Sequence, residues 1–577
     1  MHTNILNRCR QAIVLASLTL IGSTFTTLAD SGDLDPAFGA GGIVNTDITL
    51  GDDRAQRVAL LADGKILVAG TGNQNGNQVQ TIAKFLPDGN LDLSFGINGK
   101  VIGPSGTGYG LAVQTDGKFV VAGYVWDGSR FDFLVTRYHQ NGSLDVDFSG
   151  DGIAIPIVGG TENQAYAVLI QPDGKILVGG YSETGSSFDF ALVRLNPNGS
   201  LDTSFSGDGK VVTSVTTGQD NAYDLALQAD GKILLAGWGG PLNDGGLELV
   251  RYDSTGNLDT TFGVGGIVFL HEITHCLAVC IQTNGKILVS GGSRVGIGGT
   301  YDMAVARFDE NGNLDTSFSE DGIVYTSLRD NDDKSYCMAL DSAGRIVVGG
   351  TSLENNTSGK KDYVLVRYKP NGTLDLDFSR DGKIITEIAE SDDFARSLAI
   401  QPNDMIVLAG FSQTPQLGGY GSYRIARYEG HDSDGDGLND SVETNTGTYL
   451  TPTQTGTNPF DPDSDDDGLM DGIEVSKYGS SPLNKDSDAD GFDDGFEVST
   501  GFDPTSGTSV PLTTSVILTA VEFRFLAPLG KILKIEASTD LQSWYPIETN
   551  ITGTGTTLTR FYSVQTIPKR YFRVTEQ

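Results

Sequence analysis

Apolar residues along most of this chain come in short bursts bounded by Gly, Pro, Asn and Asp, and nowhere at helical spacing. One stretch shows the plan. Residues 164–171 (QAYAVLIQ) and 175–182 (KILVGGYS) are apolar runs joined by Pro172-Asp173-Gly174, a turn sequence. A third run, 189–196 (DFALVRLN), ends at Pro197-Asn198-Gly199, and a fourth, 211–215, follows the Gly-rich link 206–209. Four short strands in one such span predict one antiparallel sheet. The first two runs are apolar on both faces, as in a sheet sandwiched between neighbours rather than half-solvated.

The plan recurs. Leu-Asp-x-x-Phe begins at Leu34, Leu91, Leu144, Leu201, Leu258, Leu314 and Leu374, with spacings of 57, 53, 57, 57, 56 and 60 residues. That period predicts stacked supersecondary units, either propeller blades or solenoid turns. The ends favour a ring. The first copy supplies only a fourth-strand element around Ile43 and Val44; the last supplies a hairpin and third strand ending at Tyr428 and lacks that element. Pairing the two fragments closes a seven-bladed β-propeller over 34–428 and removes its exposed edges. An open solenoid would need caps and would gain nothing from complementary ends. Asp-Gly-Lys-Ile-Leu-Val, Val-x-Arg-Tyr and Asn-Gly-x-Leu-Asp with Phe resemble the bacterial delta-60 repeat. The resemblance implies a secreted propeller-like module and brings no catalytic residue with it.

Two charged positions recur inside the repeat. The marker carries Asp35, Asp92, Asp145, Asp202, Asp259, Asp315 and Asp375; the third strand carries Arg137, Arg194, Arg251, Arg307, Arg367 and Arg427, with Lys84 in the first copy. They read as buried structural pairs, the alternative being a ring of ligand-binding charges. His271-Glu272-Ile273-Thr274-His275 matches the zinc-protease H-E-x-x-H, which needs both histidines on one helix face. Repeat register instead places these residues on a link running into a strand, where positions four apart do not converge. A chance match is expected.

Charge changes the picture after residue 431. The 577-residue chain carries a net charge of −35, and residues 432–505 hold 16 Asp and 3 Glu against 2 Lys. A chain so acidic excludes nucleic acid or an anionic membrane as a natural partner. The acids are regularly spaced in three loops of the form D-x-D-x-D-G-x-x-D-x-x-E. The first sets Asp432, Asp434, Asp436, Asp440 and Glu443; the second Asp463, Asp465, Asp467, Asp471 and Glu474; the third Asp486, Asp488, Asp490, Asp494 and Glu497. With the backbone carbonyls of Leu438, Leu469 and Phe492 at position 7, each loop offers Ca²⁺ the oxygens a hard cation requires. Pro452, Pro459 and Gly456 prevent long flanking helices. Asn458-Pro459-Phe460-Asp461-Pro462-Asp463 and Gly501-Phe502-Asp503-Pro504 resemble the bacterial thrombospondin type 3 repeat, which implies a compact calcium stalk over 432–505.

The termini complete the expectation. Arg8 and Arg10 precede an apolar stretch from Ala12 to Gly22 and small residues at 27–29, the form of a secretory signal over 1–29. Cys276, Cys280 and Cys337 then remain, and they read as small core residues rather than a disulfide set. Residues 511–577 are rich in β-branched and aromatic runs and predict a small β-sandwich-like domain. The chain is therefore expected to be all-β: propeller, calcium-bound loop-rich stalk and terminal β domain. It is read as a non-enzymatic, monomeric protein, secreted or on the outer surface of a bacterium, with a protein or glycan of the cell surface as partner. A propeller lyase or hydrolase working in the central channel is the alternative.

Overall fold

The computed structural model describes residues 31–577 except 50, 241–244, 295–298, 355–358, 390, 414–420, 431, 433, 435, 439–441, 453, 510–519, 539–541, 564–570 and 577. The expected signal segment lies outside the described residues. Two compact units are present. One runs up to Ser464 and includes Met470–Ile473; the other comprises Asp465–Leu469 and the chain from Glu474 onward.

The first unit contains seven four-stranded antiparallel sheets, here called blades. Blades 1 to 6 occupy 54–105, 110–154, 163–213, 219–270, 275–326 and 333–386 in strict meander order. Blade 7 takes Asp392–Ile400, Ile406–Gln413 and Gly421–Tyr428 from the end of the repeats, and Ile43–Thr46 from their beginning. Ile43 pairs with Ala426 and Val44 with Ile425, so the complementary ends close the circle as their sequence predicts. The first strand of each blade neighbours the first strands of the blades before and after it, and Arg54–Leu60 meets Asp392–Ile400. These seven strands therefore line the axis.

Burial falls between blades rather than within them. Leu234 and Leu247 of blade 4 pack with Ile287 and Ala304 of blade 5, and Val68 and Phe85 of blade 1 pack with Val407 and Ile425 of blade 7. This is why the second and third strands are apolar on both faces.

One feature of the first strand escaped the sequence reading. In six blades it bulges at the same point: the register steps over Gln56, Tyr166, Tyr223, Leu277, Tyr336 and Arg396. Opposite each bulge stands a glycine with no room for a side chain. A Cβ on Gly180 would lie 2.0 Å from the Gln164 carbonyl oxygen, and one on Gly237 only 1.9 Å from that of Asn221. Gly123 meets the Thr107 oxygen at the same 2.0 Å, which puts Tyr109 of blade 2 at the equivalent place. The second glycine of Val-Gly-Gly is thus a packing requirement of the bulge, and the bulge redirects one side chain per blade.

The second unit holds a helix, Asp494–Thr500, stopped by Gly501 in the left-handed region at φ 86°. Among the described residues no long helix flanks the acidic loops. Its terminal part has a two-stranded sheet, Ala520–Leu526 with Thr557–Ser563, and a three-stranded one built from Tyr545–Thr552, Ile532–Ser538 and Tyr571–Glu576. Ala527, Leu533, Ile535 and Ile551 form its core.

Candidate metal centre

The repeated Arg and Asp pair as expected. Arg137 Nε donates to Asp145 at 2.7 Å, Arg194 to Asp202 at 2.7 Å, Arg251 to Asp259 at 2.8 Å, Arg307 to Asp315 at 2.8 Å and Arg367 to Asp375 at 2.7 Å. Arg427 reaches Asp35 across 392 residues at 2.6 Å, and Lys84 stands 3.5 Å from Asp92. Each guanidinium also lies over the buried marker phenylalanine, as Arg194 does over Phe205 at 4.4 Å. Arg137, Arg194, Arg251, Arg307 and Arg427 further donate to a backbone carbonyl of the next blade, as Arg194 does to Ser254 at 2.6 Å and Arg307 to Pro370 at 2.6 Å. The charges are clips within and between blades. Although burial works to raise it, bonds from Ser317 and Lys286 hold the Asp315 carboxyl down near 2.

His271-Glu272 occupies an exposed turn, and His275 opens the strand His275–Ile281. Burial, helped by the positive charges of Lys334 and Arg294, holds the His275 imidazole down at about 4. The two histidines do not share a helix face, and the resemblance to a zinc protease is accidental. Cys276 and Cys337 are buried free thiols, as expected of core residues.

The acidic loops gather carboxylates closely. In the first unit Asp432, Asp434 and Asp436 bring oxygens within 4.8 Å of one another, and Asp436, Glu443 and Asp471 do the same while fully buried. The local backbone creates this convergence: Gly437 N–H donates to Asp432 at 3.0 Å and Leu438 N–H to Asp436 at 2.7 Å, folding the odd positions inward. Gly472 N–H donates to the other Asp436 oxygen at 2.9 Å, and Thr457 steadies Glu443 at 3.1 Å. Glu443 Oε2 and Asp471 Oδ2 are buried with no hydrogen-bond donor. Without a cation these groups would resist ionisation. Burial, aided by the charges of Asp434 and Asp432, pushes Asp436 up to about 8, and burial with the Asp436 charge pushes Glu443 to about 9.

The third loop, in the second unit, repeats the arrangement. Asp486, Asp488 and Asp490 converge within 4.8 Å, with Gly491 N–H on Asp486 at 2.9 Å and Phe492 N–H on Asp490 at 3.0 Å. Buried oxygens of Asp488, Asp490, Asp494 and Glu497 again lack a donor. Burial, then the charges of Asp490, Asp488, Asp494 and Asp486, raises Glu497 to about 7. The division between the units passes through the second loop. On the one side Asp471 accepts Ser464 N–H at 2.8 Å; on the other Asp467 accepts Leu469 N–H at 2.8 Å and Gly495 N–H at 2.8 Å.

Orphaned, buried, acceptor-only oxygens crowded at this spacing fit a hard divalent cation and little else. One assignment differs from the spacing argument. Reading each loop as its own cage puts Asp440 in the first and Asp471 in the second. Asp440 lies outside the described residues, and Asp471 sits with Asp436 and Glu443 of the first loop. Neighbouring loops are therefore interlocked, which linear spacing cannot reveal.

Comparison with known proteins agrees with this architecture. The beta-propeller domain of unknown function DUF5122 matches residues 61–95, 114–148, 171–205, 228–262, 282–318 and 344–378. The bacterial TSP3 repeat matches 432–448 and 463–485. The chain is thus a propeller of delta-60-like repeats followed by bacterial TSP3 repeats. No curated protein matches it. Similar solved structures include a glucose dehydrogenase (13% identity, 55% of this chain and 95% of that one, TM-score 0.34) and the polysaccharide lyase Uly1 (8%, 65% and 89%, 0.36). Drosophila Semaphorin 2a is a third (9%, 95% and 97%, 0.39). At such overlap none of them informs the chemistry of this chain.

Proposed function

We propose that this protein is a secreted or cell-surface interaction protein of a bacterium, non-enzymatic, in which a closed propeller is followed along the chain by loops that fold around Ca²⁺. The observation that carries the reading is the buried trio Asp436, Glu443 and Asp471 with its donorless oxygens. Ca²⁺ would be held there by these three with Asp432 and Asp434, and in the third loop by Asp486, Asp488, Asp490, Asp494 and Glu497. Asp463, Asp465, Asp467 and Glu474, with the Leu438, Leu469 and Phe492 carbonyls, complete the proposed ligand set. The ion supplies charge neutralisation and cross-linking between loops that have few apolar residues of their own. Binding energy then appears as folding energy. The repeated Arg–Asp pairs support a structural role for the propeller's charge, since both members are spent on holding blades together.

Limited proteolysis of the full chain with Ca²⁺ and with chelator, read by fragment mass, tests this. Chelation should open 432–505 to cleavage while 34–428 stays intact. Identical fragments in both conditions would refute the calcium reading. No helix among the described residues is long and apolar enough to cross a membrane.

A further inference from the structure

The seven residues redirected by the bulges converge on the axis, and all seven border one cavity of about 270 Å³. Its wall is divided. On one arc stand Tyr109, Tyr166 and Tyr223, ring against ring at 4.7 and 4.9 Å, backed by Tyr124, Tyr181 and Trp238. On the other arc stand Arg54, Arg57 and Arg396 with Gln56 and Tyr336. Three arginines on one cavity wall are notable in a chain of net charge −35. Two of them are engaged: Arg54 pairs with Asp52 and Arg57 with Asp224, each at 2.7 Å. Arg396 is different. Its guanidinium is held 4.6 Å above the Tyr336 ring and 5.6 Å from Phe411, while its Nε is buried with no acceptor. Among the described residues no carboxylate pairs with this guanidinium, and a planar fork of donors fixed by aromatic contacts on a cavity wall suits an incoming one.

We propose that this channel mouth binds a sugar acid, a uronate unit of an anionic glycan, with its ring against the tyrosine arc and its carboxylate on Arg396. Three demands select that chemistry. The three tyrosines, tilted and edge-on against one another, make an aromatic wall that suits the C–H face of a pyranose. Arg396 requires an anion. Gln56 sets an amide beside the ring position, which suits sugar hydroxyls that an aryl carboxylate lacks. A bare phosphate or sulfate would satisfy the arginine and leave the aromatic arc unused. The inference deepens the interaction reading above and rests on the propeller as its binding platform; it does not involve the calcium loops.

The test is calorimetric titration of the full chain with trigalacturonate, triglucuronate and trimannuronate, with galactotriose and benzoate as controls, all in chelator because uronates themselves bind Ca²⁺. At least one uronate should bind, at least tenfold more tightly than galactotriose or benzoate. Arg396→Gln should abolish that preference, Arg396→Lys should restore part of it, and Tyr166→Leu should weaken acidic and neutral sugars together. Thermal melts confirm that each variant is folded, and the Arg396 pair decides the matter if Tyr166→Leu is not. No uronate binding at millimolar concentration, equal affinity for galactotriose or benzoate, or unchanged affinity in Arg396→Gln would each overturn the proposal. The probes are recovered and weighed by mass spectrometry. A shortened trimer would keep the site and overturn the non-enzymatic reading, so the two failures are distinguishable.

Discussion

Glu248 is the most exposed flaw in the propeller's energetics, and it yields a sharp prediction. It sits in the third strand of blade 4, fully buried, where sister repeats carry Ala191 or Ala304. Burial first, then the neighbouring charges of Asp220 and Asp189, pushes its carboxyl up to about 10. Asp220 accepts the Val215 and Thr216 N–H groups at 2.8 and 2.9 Å. Glu248 is therefore protonated at pH 7 in the folded protein and ionised once unfolded. The folded state binds the extra proton, so stability falls as pH rises from the ordinary carboxyl value near 4.5 toward 10. At pH 7 the accumulated cost is on the order of 3 kcal/mol, taking about 1.4 kcal/mol per unit. Glu248→Gln keeps the shape and donor of the protonated acid and removes the titration. Its melting temperature should match or exceed the wild type at pH 5 and pull ahead progressively to pH 9. Differential scanning calorimetry over that range reads the gap. Parallel curves for the two proteins would show that Glu248 does not hold a proton, and the reasoning would fail.

Three further outcomes follow from named contacts. Arg367→Met removes the 2.7 Å partner of the buried Asp375 carboxylate, 1% exposed, and should cost about 3–5 kcal/mol, with Arg367→Met/Asp375→Asn recovering part of it in a melting series. Gly180→Ala drives a methyl to 2.0 Å from the Gln164 oxygen and should cost about 1–3 kcal/mol; an unchanged melting temperature would refute the bulge argument. Val44→Asp puts a charge in the closing strand against Ile425, so protease should release the N-terminal segment well below the melting point of the wild type; unchanged resistance would mean the closure bears no stability.

The sequence by itself determined what depends on neighbours along the chain and on repetition. Strand runs, turn glycines and the Leu-Asp-x-x-Phe period required seven like sheets, and the incomplete first and last copies required the closing strand Ile43–Thr46. Carboxylates two residues apart around Gly437 and Gly491 announced cation loops for the same reason, since the turn that gathers them is local. Only the tertiary structure decided what converges from afar. Whether the residue between Ala165 and Ala167 faces the core or the axis depends on a bulge, and strict alternation misassigns every such position. The tyrosine arc and Arg396 come from blades more than 50 residues apart, brought together by ring closure alone. Asp471 reaches Asp436 because successive loops interlock, and Glu248 meets Asp220 because the first and third strands of one blade share a face. Short-range pattern fixes each element's shape; which side chains meet at the axis and between loops is set by the rigid-body geometry that packs those elements, and one-dimensional spacing carries no record of it.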